Sequence, residues 1–212
     1  MTHDSSPHAG CRTVVVHLRA ADRRTGAPTY AASATGAAPA DNPEIKALVD
    51  ADQEERATMP LLDKMDDAAR REHFAGMTQR DRERRDAVLR ILRAGDVKTV
   101  ADHGRTALVL QHGAVVEDQM LAFALATMAA QLDPKKEIYR WLSAAELDRV
   151  LVCKQRTQWY GTQFVPDPAT GRHMLAPVVE GAVTDDERAA RGVPPVAESR
   201  EMERKMNASK LH

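Results

Sequence analysis

Two groups of polar side chains in this chain have types and spacings that could do chemistry. The first centres on His112, which stands at the predicted C-terminal end of a helix over 99–112, one tight turn before Glu117, Asp118 and Gln119. A helix C-terminus favours an imidazolium, and a carboxylate one turn away would orient the ring. His112 therefore reads as a general acid or base, with Asp118 as its partner and Gln119 as a substrate contact. The same residues also have a reading without chemistry: a histidine that caps free carbonyls, and acids that complement a helix dipole. His112, Glu117 and Asp118 are metal-ligand types in no recognised spacing, so a metal held by them is the weaker reading and the expectation is no cofactor.

The second group is the stretch 147–164, which begins with helical periodicity, loses it near Gln155 and ends in Gln158-Trp159-Tyr160-Gly161-Thr162-Gln163. Glutamine carries donors and acceptors together, so such a segment can satisfy itself and a ligand at once. Tyr160 is a third catalytic candidate, with Gln158, Thr162 and Gln163 holding a polar substrate or a developing oxyanion. Asp148 and Arg149 precede it as further candidate substrate contacts, Asp148 turned partly inward and Arg149 further round. A third signal lies upstream. At 100° per residue Asp52 and Arg56 share a stripe with Ile45, Leu48, Val49 and Met59, which puts two charges on an apolar face. They pair at the rim of the core or point into a polar pocket. Cys153 has no base within helical reach, so no nucleophilic role is assigned to it.

These side chains need a scaffold, and the periodicity supplies helices. Asp41-Asn42-Pro43 opens the first, and Pro60 closes it. A second is expected over 61–74 and a third over 79–94, separated by Gly76 and a Thr78 cap, with Gly95 as the stop. The charged run 80–85 reads as a solvated face with Asp81–Arg85 and Asp86–Arg90 pairs. The helix over 115–131 is apolar nearly all round, the mark of a central helix. Ser143 and Glu146 form a capping-box pattern that starts a new helix. Asp167-Pro168-Ala169-Thr170-Gly171 turns between two short runs, a small hairpin. Thr184 and Glu187 cap a short helix, and a charged helix follows Pro194-Pro195.

Composition narrows the class. The 212 residues carry 30 basic and 31 acidic side chains, a net charge of −1, so no global field draws in nucleic acid or an anionic membrane. Only 4% of residues are aromatic, which argues against base stacking. The opening residues show no apolar signal segment, and no run reaches the length of a membrane span. Cys11 and Cys153 could form one disulfide, but two unpaired thiols in a reducing compartment is the preferred reading, and a cytoplasmic location is expected. The domain reading is a mobile arm over 1–40, with Thr13–Leu18 as one strand-like run, a helical domain over 41–195, and a charged helix and tail over 196–212. The fold expected is all-α, an orthogonal bundle of six or seven helices with a small β-hairpin after the central polar segment.

The chain resembles a bacterial family, domain-of-unknown-function family 6624. The resemblance rests on Asp52-Gln53 with Arg56, Gly95, Gln111-His112, Asp118-Gln119, Asp148-Arg149-Val150, and Gln158 followed by Tyr160-Gly161-Thr162-Gln163. Asp185, Arg188, Gly192 and Pro194-Pro195 extend it, so that it covers about residues 43–200. Asp96-Val97 and Gln155-Arg156-Thr157 depart from the family pattern in loops beside the presumed site. The family name carries no reaction; it implies that these polar residues form one recurring constellation. Two functions follow as expectations. One is a cofactor-free acid–base enzyme of hydrolase or lyase type, acting on a small polar molecule or peptide in an inter-helical cleft that holds Asp52, His112 and Tyr160 together. The other is a ligand- or peptide-binding module whose polar cluster is structural. The oligomeric state is left open.

Overall fold

The computed structural model describes residues 38–58 and 65–208. Among them are seven helices: α1 (Pro43–Ala57), α2 (Asp67–Arg93), α3 (Val100–Leu110), α4 (Val116–Leu132), α5 (Glu137–Cys153), α6 (Asp185–Ala190) and α7 (Val196–Ala208). A two-stranded antiparallel hairpin, β1 (Phe164–Pro166) with β2 (His173–Leu175), pairs Val165 with Met174. The protein is mainly α, with the hairpin where the sequence places it. The Thr13–Leu18 run and the Pro60 break lie outside the described residues.

Local chemistry explains most of the boundaries. Asn42 Oδ1 accepts from the amides of Glu44 and Ile45, and Pro43 occupies the first turn where a missing N–H costs nothing. Thr99 with Asp102, and Thr184 with Glu187, form capping boxes. The core is built where α3, α4 and α5 meet: Leu110, Ala122, Ala126, Leu142 and Ala145 are fully buried. Small residues on both α4 and α5 let the backbones approach closely, so little side-chain volume separates them.

Several expectations are corrected. α2 runs unbroken through Gly76 and Thr78, because Thr78 bonds back to the Phe74 carbonyl at 2.8 Å instead of capping a new helix. Ser143 starts nothing either. It lies inside α5 and shares a hydrogen bond with Thr127 Oγ1 at 2.9 Å, while Glu146 is fully buried. α4 is not covered all round: Met120, Met128 and Leu132 stand about half exposed. The charged helix α7 is tied to the hairpin: Glu203 accepts from the Leu175 amide at 3.1 Å and Asn207 bonds both backbone groups of His173. Cys153 is disulfide-bonded, which corrects the free thiol expected there and removes the ground for a reducing compartment. No helix among the described residues is long and apolar enough to cross a membrane.

Candidate functional site

The Asp52–Arg56 spacing on α1 places both side chains against α2 and the turn after α3. Asp52 is buried, and its Oδ1 lies 3.3 Å from Arg56 Nη1 and 3.6 Å from Arg84 Nε. Its other oxygen accepts from Gln53 Nε2 at 2.8 Å and lies 3.6 Å from His112 Nε2. Arg56 Nε donates to His112 Nε2 at 2.8 Å, and its Nη2 reaches Asp81 at 3.0 Å. A guanidinium can only donate, so Nε2 accepts and the imidazole is neutral, with its proton on Nδ1. This replaces the imidazolium expected from the helix end. Burial, partly offset by Arg56, pushes the Asp52 carboxyl up to about 6.

Asp118 does not orient His112. Its Oδ2 accepts from Arg85 Nε at 2.6 Å, and the carboxylate beside the histidine is Asp52. The charged run on α2 is the surprise. Arg84 is buried and bonds Asp81 at 2.6 Å and Glu55 at 2.7 Å, with Arg80 also paired to Glu55. Half of the solvated face expected there is the wall that positions α1. Gln119 Nε2 holds the Gly113 carbonyl at 2.6 Å, fixing the turn that carries His112. Glu117 is exposed, and no three metal-ligand side chains converge among the described residues.

Behind this cluster lies a second charge layer, of which the sequence reading named Arg149 and missed Glu146. Arg149 Nη1 donates to the carbonyl of Gln111, the residue before His112, and Glu146 Oε1 lies 3.7 Å from Arg149 Nε. Both oxygens of Glu146, both amide atoms of Gln111, and Nε and Nη2 of Arg149 are buried without a hydrogen-bond partner. Burial pushes the Glu146 carboxyl up to about 7, opposed only by Arg149. Desolvation in turn holds Arg149 below the usual guanidinium range. A sequence signal existed. Leu142, Ala145, Glu146 and Arg149 follow the i, i+3, i+4, i+7 pattern of one buried helix face, but the capping-box pattern explained the glutamate away.

The Gln158–Gln163 segment builds a different object. Asp148 accepts from the amides of Trp159 at 2.7 Å, Tyr160 at 2.9 Å and Thr162 at 3.1 Å, and from Thr162 Oγ1 at 2.8 Å. Gln158 accepts from the Gln163 amide at 2.9 Å and donates to the carbonyls of Gln163 and Ala176. Gln163 Nε2 reaches the Ala145 carbonyl at 3.0 Å. Arg188 from α6 clamps the carbonyls of Tyr160 and Trp159. Gly161 sits at φ +77°, a backbone conformation that a side chain would strain. Asp148, Gln158, Thr162 and Gln163, expected to bind substrate, are thus spent on tying one loop to α5. Tyr160 packs its ring on the apolar core.

No family model, curated protein or solved structure matches the chain. The geometry is therefore the whole basis for a functional reading. A groove of about 170 Å³ runs between Trp141, Thr162 and Phe164 on one side and Val193, Glu198 and Met202 on the other. None of its lining residues belongs to the His112 cluster, which reaches solvent through His112 and Arg56, each with a side chain 15% exposed.

Proposed function

We propose that this protein is an enzyme that performs acid–base chemistry without a cofactor on a small polar molecule or peptide, with Asp52 and His112 at its centre. In this reading Asp52 and the neutral imidazole exchange protons with substrate, and Arg56 holds both. Arg149 and Glu146 supply charge from behind, and Asp118 and Gln119 position the turn through Arg85 and Gly113. Hydrolysis, elimination and rearrangement all fit this set, and no cofactor-binding motif stands in the sequence. The reading includes membership of family 6624, supported by the convergence of Asp52, Arg56 and Gln111-His112 with Arg149.

One observation carries the proposal. Two buried carboxyl groups pushed up to about 6 and about 7 stand among donors and acceptors without partners, beside a histidine that meets solvent. Carboxyls tuned towards neutrality are what proton transfer at neutral pH requires, and a scaffold has no use for them. The test is turnover of a panel of peptide, ester, amide and hydroxy-acid substrates followed by pH-stat and mass change. His112→Ala and Asp52→Asn are expected to lower a detected activity by at least about 100-fold, with folding intact. An activity indifferent to both variants overturns the reading. The second reading, a ligand-binding module, is favoured by the groove against α7; saturable ligand protection abolished by Met202→Asp but untouched by His112→Ala would establish it.

A further inference from the structure

The groove against α7 holds a buried hydroxyl that the proposed activity does not use. Ser199 is 5% exposed, it lines the groove, and among the described residues its Oγ makes no hydrogen bond. A hydroxyl kept from water without a partner costs stability, and one that faces an opening suits a ligand able to donate or accept. Around it the walls are apolar. Trp141, Phe164 and Val193 are buried, and Met202 contributes from α7. The volume of about 170 Å³ suits one ring-sized group, since a dry apolar cavity of about 150 Å³ takes benzene. The Gly161-Thr162 strap in the wall is held by Asp148, so this side is set before anything binds.

Charge is placed at both ends. Glu198 and Lys205 line the same groove from one face of α7, two turns and about 10 Å apart along its axis. Met202 lies between them. Among the described residues neither charged group has a hydrogen bond or a close ion pair, whereas Glu201 is taken by Arg204. Each charge also complements its own end of the helix dipole. That leaves unexplained why a buried hydroxyl shares the groove with two open charges of opposite sign. An elongated molecule with an amino group at one end, a carboxylate at the other and an apolar middle answers all of these. Three extended residues span about 10 Å, the spacing of the charges, and their main-chain amides offer Ser199 either kind of partner. A free amino acid carries both charges on one carbon, too close together, and a fatty acid leaves Glu198 unanswered.

We propose that this groove binds a peptide of about three residues with free ends, its amino terminus at Glu198, its carboxylate at Lys205 and a large apolar side chain in the middle. The proposal rests on the groove being a ligand site, the second reading of the function, and names the class of ligand. The central side chain covers Trp141, Phe164 and Met202, and Ser199 bonds the peptide main chain. Binding involves no covalent step.

The experiment is calorimetric titration of the full chain with alanyl-phenylalanyl-alanine at low salt. Saturable binding at one site per chain is expected. Trialanine is expected to bind at least about ten-fold more weakly, because it leaves the apolar walls wet. Acetylating the amino end and amidating the carboxyl end are each expected to weaken binding about three-fold, the scale of a partly exposed charge pair. Glu198→Gln is expected to match the loss caused by acetylation and to add nothing to it, and Lys205→Met to do the same for amidation. Both positions are exposed, so the fold does not depend on them. Equal binding of the free and the doubly blocked peptide overturns the proposal while leaving the groove a ligand site. Binding unchanged in Met202→Asp places the peptide elsewhere, and the proposal and the ligand reading fall together. A chain that binds none of these peptides overturns the proposal and leaves the ligand reading to its own test.

Discussion

Asp148 and Glu146 sit two residues apart on the same buried stretch of α5, yet Asp148 accepts from three amides and a hydroxyl while neither oxygen of Glu146 accepts a hydrogen bond. Burial raises both carboxyls, but Asp148 is pulled back by its four donors and Glu146 only by Arg149. The contrast separates two uses of a buried charge. Both oxygens of Asp148 are met by donors, and the result is a loop held in one shape in which, among the described residues, Gln163 Oε1 and Arg188 Nε alone are left over. Around Glu146, Gln111 and Asp52 capacity is left over, which costs stability and suits a group that must exchange partners. A buried polar residue is thus informative less by being buried than by whether its bonds are used up.

The largest effect tests the matched side. Asp148→Ala strands three amides and the Thr162 hydroxyl in the interior and is expected to cost about 4 kcal/mol of unfolding free energy in a denaturant titration. Gln163→Ala, which frees the Ala145 carbonyl, is expected to cost about 2 kcal/mol by the same measurement. A loss under about 1 kcal/mol for Asp148→Ala would show the loop to be held by something else and would erase the contrast.

The unmatched side is expected to answer with the opposite sign. Asp52 and Glu146 bind protons more tightly folded than unfolded. Their contribution to stability is whole below about pH 4 and is lost as the pH rises through about 6 and about 7. Glu146→Gln keeps the shape and removes that loss, so it is expected to stabilise by on the order of 2 kcal/mol at pH 8 and to change little at pH 4. Equal destabilisation at both values would make Glu146 a scaffold group like Asp148. The smallest effect belongs to His112→Ala, which removes one acceptor from a partly solvated Arg56 and is expected to shift stability by less than about 1 kcal/mol. A cost as large as that of Gln163→Ala would move His112 to the structural side.

Much of the fold was legible before any coordinates. Asn42-Pro43, the Thr184 cap, the hairpin turn and the mainly helical class all follow from interactions within a few residues, where local chemistry and final geometry agree. The two helix errors share a cause. Gly76-Met77-Thr78 and Ser143-Ala144-Ala145-Glu146 carry genuine stop and start patterns. Within a packed helix, however, a hydroxyl has a second partner, the Phe74 carbonyl for Thr78 and the Thr127 hydroxyl for Ser143.

The candidate site divides in the same way. Asp52 and Arg56 betrayed themselves as charges on an apolar stripe, and His112 and the Gln158–Gln163 segment stood out by type, so the polar residues were found. Their roles were not. That Asp148 and the glutamines are bound to backbone, that Asp52 rather than Asp118 meets His112, and that Arg84 turns inward all depend on pairs 5 to 60 residues apart in the chain. Residue type and periodicity determine which groups leave water, because both act through the nearest turns of helix. Which of those groups then find partners is a matter of distance in space, and only the tertiary structure decided it.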